Sequence, residues 1–81
     1  MKQEYWIIKL TMPDGNVGYV NFNYDITTSL KYVATWYEKN QAIADLARHT
    51  KNLSRNSTQV KRWLKEGATV DYVKLIMEVK E

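Results

Sequence analysis

Residues 4–24 read EYWIIKLTMPDGNVGYVNFNY, and this stretch decides the fold. Apolar and polar side chains alternate on both sides of the segment 12–16, which is the period-two pattern of strands with one better-buried face. The proline of that segment fixes φ, while Gly15 tolerates positive φ, so the chain is expected to reverse there. The pattern predicts an antiparallel hairpin with strands at 4–12 and 17–24.

The clearest strand pattern lies near the C-terminus. Two alternating rows run through it, one of Val73, Leu75, Met77 and Val79 and the other of Tyr72, Lys74, Ile76 and Glu78. In the second strand of the hairpin, Val20, Phe22 and Tyr24 are predicted to share a face. The C-terminal strand is expected to lie beside the hairpin in an antiparallel sheet of three or four strands.

Two helices are predicted between the hairpin and the last strand. Residues 38–50 place Ala, Ile and Leu at three- and four-residue spacing, which is typical of an amphipathic helix. After a polar connector at 51–56, Ser57 is a candidate N-cap and Gly67 suits the position just past a second, two-turn helix. Residues 25–37 fit both helical and strand spacing, although their β-branched and aromatic residues favour extended structure.

These elements predict a single α+β domain, 1–81, with both helices packed on one face of the sheet. The chain has no cysteine, one histidine and three glycines, so no thiolate metal site, P-loop or dinucleotide fingerprint is present in its sequence. We expect no catalytic, cofactor-binding or metal-binding residues. Because no secretion signal or membrane-length apolar run is seen, a cytoplasmic location is expected.

Some large side chains of the strands must lie outside the core, because alternation places half of each strand on either face. We expect five to be exposed together on the outer face of the sheet and to bind a protein partner or a second copy: Tyr5, Ile7, Tyr19, Tyr72 and Ile76. Exposed aromatic patches are typical of protein interfaces. Sheets that bind RNA also expose aromatics, but their glycine-rich signature string is absent.

The basic character of the chain is concentrated in residues 48–65, which contain no acid. The six cations of this segment are Arg48, Lys51, Arg55, Lys61, Arg62 and Lys65. Clustered cations bind phosphates by releasing counterions, so the segment is a candidate nucleic-acid site. The alternative is a solvated helix surface, with the cations of the second helix projecting away from an apolar stripe. Both alternatives place Trp63, which belongs to that stripe, in the core.

Residues 34–42, ATWYEKNQA, follow a hairpin rich in tyrosine and isoleucine and precede a lone final strand. This layout resembles that of small uncharacterised accessory proteins of Gram-positive phages and prophages. The resemblance covers residues 4–50 and the last strand, and 51–67 depart from it as an extra helical insertion. It implies a short protein that binds a host or phage macromolecule and regulates or inhibits it, and it carries over no functional residues.

The sequence thus predicts a non-enzymatic, protein-binding accessory module, with nucleic-acid binding through the basic segment as the alternative. Inhibition of a host or defence protein is compatible with the first. An enzymatic function would require a concave pocket around His49, the one histidine available as a general base.

Overall fold

The computed structural model describes residues 1–51 and 58–78. Its elements, in chain order, are β1 (Lys2–Thr11), β2 (Val17–Val20), β3 (Ile26–Thr27), α1 (Lys39–Thr50), α2 (Gln59–Lys65) and β4 (Thr69–Glu78). The four strands form one antiparallel sheet in the order β3-β2-β1-β4. The predicted α+β fold is confirmed.

The hairpin turn forms where the sequence predicts it. The Gly15 N–H donates to the Met12 carbonyl at 2.9 Å, and the Met12 N–H donates to the Asn16 carbonyl at 2.8 Å. Gly15 has φ +94°, the left-handed conformation that glycine adopts without a Cβ penalty. The Asp14 carboxylate also accepts the Asn16 N–H at 3.0 Å. Local chemistry therefore fixes this reversal and, with it, the β1–β2 register.

The second hairpin strand is shorter than predicted, because the chain turns immediately after Val20. The Oδ1 of Asn21 accepts the N–H groups of Asn23 and Asp25, both at 2.9 Å. Tyr24 adopts a positive φ of 57° in this turn. The prediction that Phe22 and Tyr24 share the face of Val20 is therefore wrong for Phe22, which is exposed, whereas Tyr24 packs against the core that contains Val20.

The pairing of β1 with β4 organises the two faces of the sheet. The two strands run antiparallel through ten consecutive pairs without a bulge, and Ile8 faces Tyr72 while Leu10 faces Val70. Directly opposite residues point to the same side of an antiparallel sheet. Even-numbered residues of both strands therefore share the face that carries Ile8, here called the inner face, and odd-numbered residues share the outer face.

Both helices cover the inner face. Its buried core contains residues from the strands β1 and β2 and from both helices: Ile8, Leu10, Val20, Ala42, Leu46 and Val60. Trp63 is half-buried and packs against this core, as the sequence predicts in placing it inward. Close packing extends to the backbone, because a Cβ at Gly18 would lie 3.2 Å from the Trp63 ring and clash with the Ile26 side chain. The main hydrophobic cluster therefore lies between the helices and one face of the sheet.

Hydrogen bonds at both ends define α2. Thr58 is its N-cap, and its hydroxyl accepts the Lys61 N–H at 3.3 Å. At the C-terminus Gly67 has φ +96°, and its N–H donates to Leu64 while the Ala68 N–H donates to Trp63. These two bonds form a Schellman motif, which confirms the predicted role of Gly67. The predicted N-cap Ser57 lies outside the described residues.

The ambiguous segment 25–37 is extended at its start and then turns, with the Tyr32 N–H donating to the Ser29 carbonyl at 3.2 Å, and no part of it is helical. It contains β3 and then two isolated bridges, in which Val33 pairs with Asn21 and Trp36 pairs with Trp6. Trp6 and Trp36 exchange both backbone hydrogen bonds, at 2.6 and 2.9 Å. The segment thereby borders the first half of β1, which β2 is too short to reach.

Candidate interaction surface

The outer face of the sheet is lined by large apolar and aromatic side chains. The strands contribute Tyr5, Ile7, Val17, Tyr19, Val73, Leu75 and Met77, and the extended segment 33–37 adds Val33 and Tyr37. We call these nine residues the outer face patch. None of the described helices packs on this face, since α1 and α2 contribute to the core on the opposite side.

The patch has a buried centre and an exposed rim. Ile7 and Val33, at its centre, are only 2% and 5% exposed, although none of the described helices packs on this face. Tyr37 at the rim is 68% exposed, and its ring lies 5.6 Å from that of Tyr5 at a tilted angle. Val73 and Met77 are also exposed. Large rigid side chains around an apolar centre are the composition that protein interfaces favour.

The five residues predicted to share an exposed face do not do so. Tyr5, Ile7 and Tyr19 lie on the outer face, but Tyr72 and Ile76 lie on the inner face, because they pair with Ile8 and Glu4. That part of the prediction is wrong. Sequence alternation identified the strand but did not show which of its two rows faces the helices, since both rows contain large apolar side chains.

Tyr72 and Ile76 have different surroundings on the inner face. Tyr72 packs against the core, and its burial raises the pKa of the phenol. Ile76 lies past the end of the helices and is 57% exposed. The inner face is therefore covered over its core half and open at its other end.

A cleft of about 600 Å³ occupies that open end. Trp6 lies in it beneath two lysines, with the Nζ atoms of Lys39 and Lys74 at 5.6 and 5.4 Å from the ring centroid. Lys74 also pairs with Glu4, at 3.6 Å between Nζ and Oε2. Because acids and bases alternate around the indole, the cleft does not select a ligand of one charge.

A second cluster surrounds His49 in the last turn of α1. Its ring stacks on Tyr24, with centroids 3.7 Å apart and planes at 9°, and its Nε2 lies 2.8 Å from the Thr58 hydroxyl. Burial lowers the pKa of His49, and the nearby Lys61 cation lowers it further. Burial likewise raises the pKa of Tyr24. These contacts join the end of α1 to the turn after β2 and to the start of α2.

An open depression of about 330 Å³ does adjoin His49, as an enzymatic function would require. Its one carboxylate, Asp45, accepts the Trp36 indole N–H at 2.7 Å and is ion-paired with Arg48. The hydroxyl next to the imidazole belongs to Thr58, which caps α2. The polar groups of the cluster thus hold elements together, and their arrangement does not single out a reacting atom.

The basic residues do not converge on one surface in the way predicted. Lys61 is 5% exposed, so the prediction that it projects into solvent is wrong. Arg48 is exposed but paired with Asp45. Lys51, Arg62 and Lys65 are exposed, the first at the end of α1 and the others on α2. The sixth cation, Arg55, lies outside the described residues.

Sequence reasoning missed six members of the outer face patch: Val17, Val33, Tyr37, Val73, Leu75 and Met77. The sequence contains a signal for Val73, Leu75 and Met77, because they form one alternating row of the last strand. The prediction did not place that row on the exposed face. Val33 and Tyr37 follow an irregular stretch, so their side of the sheet depends on the bridges to Asn21 and Trp6. The spacing of apolar residues in the sequence does not predict those bridges.

Within residues 1–51 and 58–78, no cluster of histidine, cysteine and acidic residues is arranged to hold a metal ion. In the same described ranges, neither helix has the length and apolar character needed to cross a membrane. Comparison of the chain with protein-family models, with curated proteins and with solved structures finds no match.

Proposed function

We propose that this domain is a non-enzymatic protein-binding module that contacts its partner through the outer face patch. The observation that supports this is the asymmetry of the sheet: two helices cover one face, while the other presents aromatic and aliphatic side chains to solvent. Contiguous apolar surface of this kind on a small domain usually marks a contact site. Regulation or inhibition of a cytoplasmic host or defence protein is the biological role we attach to it.

The patch has features that favour a protein over a small ligand. It is a broad sheet surface without an enclosing wall, whereas small-molecule sites are concave and bury most of the ligand. Its central Ile7 is already shielded, so binding would desolvate mainly the rim, including Tyr37 and Met77. Tyrosine and methionine are enriched at protein interfaces, and tyrosine adds contact area at low entropic cost.

A differential capture experiment tests the proposal. The immobilised wild-type domain is compared with the double variant Val17→Lys/Tyr37→Lys, which adds two charges to the patch at residues 38% and 68% exposed. The control is Ile43→Lys/Phe22→Lys, which adds the same charges elsewhere, at residues 38% and 71% exposed. We expect a partner from the producing cells to be retained by the wild type and the control and lost by the patch variant. Equal retention by all three would contradict the proposal.

Nucleic-acid binding gains less support, because the structure removes Lys61 from the surface and pairs Arg48 with an acid. Apart from the paired Arg48, the described part of the segment has three exposed cations, and if all of them contacted phosphate the log–log salt slope would be about −2.7, at roughly −0.9 per contact. We expect no duplex binding with such a slope at low salt. Salt-sensitive binding that is lost on Arg62→Ala/Lys65→Ala would favour the alternative function.

A further inference from the structure

The edge of the sheet at β4 is long and open. Strand order places β4 at one end of the sheet, with β1 as its neighbour among the described residues. The opposite edge is blunted, because β3 has only two residues. β4 has ten, with neither proline nor glycine and no bulge. An edge of this length is a template for pairing with another strand.

The backbone groups that face this open edge can be identified from the ladder. Trp6 exchanges its hydrogen bonds with Trp36, so its N–H and C=O point away from β4. In an antiparallel sheet, successive residues of a strand direct their N–H and C=O groups to opposite sides of the strand. Odd-numbered β1 residues therefore bond to β4, and the register pairs them with odd-numbered β4 residues. It follows that Lys74, Ile76 and Glu78 direct their N–H and C=O groups outward.

The sequence of this edge is complementary to itself. Residues 74–78 read KLIME, so antiparallel pairing with a second copy about Ile76 places Lys74 opposite Glu78 and Leu75 opposite Met77. On the inner side, an Ile76 pair is then flanked by two oppositely charged pairs. On the outer side, both pairs are apolar. Cross-strand pairs of these kinds each stabilise a sheet, whereas like charges directly opposite destabilise it.

We propose that β4 pairs with β4 of a second copy about a twofold axis at Ile76. In this register Ile76 and its counterpart exchange two backbone hydrogen bonds, and each Lys74 exchanges two with the opposing Glu78. Ile76, at 57% exposure, is the most exposed apolar side chain of the strand and gains the most cover. Lys74 lies over Trp6 and pairs with Glu4 on the inner face, and the opposing Glu78 places a second acid beside it.

This dimer is independent of partner binding through the outer face patch. Two four-stranded sheets joined at β4 form one eight-stranded sheet, and the two patches then lie side by side on the same surface. The interface uses backbone groups of the edge together with the patch residues Leu75 and Met77, and it leaves Val17 and Tyr37, the positions changed in the capture experiment, untouched. Failure of the dimer would therefore leave the capture experiment unaffected, and failure of capture would leave the dimer standing.

Light scattering during size-exclusion chromatography tests the pairing. We expect a mass of twice the 9.6 kDa protomer for the wild type at high micromolar concentration. Ile76→Pro removes an N–H that faces outward, so it spares the β1 ladder and should raise the dimer dissociation constant by at least about tenfold. Ile76→Thr keeps the N–H and β-branching and should remain dimeric. Circular dichroism confirms that each variant is folded.

Two single-cysteine variants of this cysteine-free chain test the register. Ile76→Cys places the two thiols opposite each other, at the Cα spacing that a disulfide requires, and should cross-link under mild oxidation. Val73→Cys lies far from its counterpart and should not. A monomer at all concentrations, a dimer unaffected by Ile76→Pro, or faster cross-linking through Val73→Cys would each overturn the proposal. Binding of an unrelated extended peptide by a monomeric edge would do so too.

Discussion

The inner and outer faces of this sheet carry similar amounts of apolar side chain but have opposite surroundings. Ile8 and Ile7 are neighbours in β1, yet Ile8 lies under two helices while Ile7 lies on a face that no described helix covers. Both are almost fully buried. The comparison teaches that burial of one residue does not reveal which face is the core, because a side chain on the face that no described helix covers can be equally buried.

The largest difference between the faces should appear in stability. Ile8→Ala leaves a cavity between the sheet and the helices, where helix packing limits collapse, and should lower the free energy of unfolding by about 2–5 kcal/mol. Val73→Ala, at an exposed position of the outer face, should cost less than about 1 kcal/mol. Urea denaturation of the two variants measures both values. Equal losses would show that the outer face is also covered.

A smaller effect is expected from Gly18, which lies on the inner face against Trp63. Gly18→Ala inserts a methyl group where the Ile26 side chain and the indole leave no room. Such overpacking costs about 1–3 kcal/mol. The control is Val17→Ala, one residue away on the outer face, which should change stability little. Thermal denaturation of the pair reports the difference, and a neutral Gly18→Ala would refute the close packing of α2 on β2.

The helical layer itself depends on Thr58, which caps α2 and contacts His49. Thr58→Ala removes both interactions and should cost about 1–2 kcal/mol, within the range for loss of an N-cap. Thr58→Ser retains the hydroxyl and should behave like the wild type. Chemical denaturation distinguishes the two, and equal stability of all three proteins would argue against the cap.

The smallest expected effect is a pH dependence of the folding stability that arises from His49, on the side of the sheet that the helices cover. Because burial and Lys61 lower the pKa of His49 in the folded protein, the unfolded chain binds a proton more readily. The contribution to stability is complete above the unfolded-state pKa of about 6.5 and is lost as the pH falls below that value and through the lower folded-state pKa. Denaturation of the wild type and His49→Gln at pH 7.5 and 5.5 should show a larger acid-induced loss in the wild type. Identical losses would contradict the assignment.

Much of this fold was predictable because its signals are local. The Pro-Asp-Gly turn, the helix at 39–50 and the Gly67 stop each depend on residues a few positions apart. Which row of β4 faces the helices was not predictable, since both rows contain large apolar side chains and the register with β1 decides between them. The early end of β2 depends on the Asn21 side chain, and the burial of Lys61 depends on tertiary packing.

For the candidate site, the sequence predicted an aromatic outer face of the sheet but did not correctly predict which residues form it. An outer aromatic face was expected, and Tyr5, Ile7 and Tyr19 do lie on one, but two of the five predicted residues lie on the opposite side. The binding role of the face stays a prediction.

Hydroxyl-radical footprinting of the free domain and of its captured complex tests the central claim most directly. We predict that Tyr37 and Met77, on the outer face patch, become protected in the complex while Phe22 reacts equally in both states. Protection of Phe22 with unchanged labelling of Tyr37 and Met77 would contradict the claim and would move the contact surface to the helical side of the molecule.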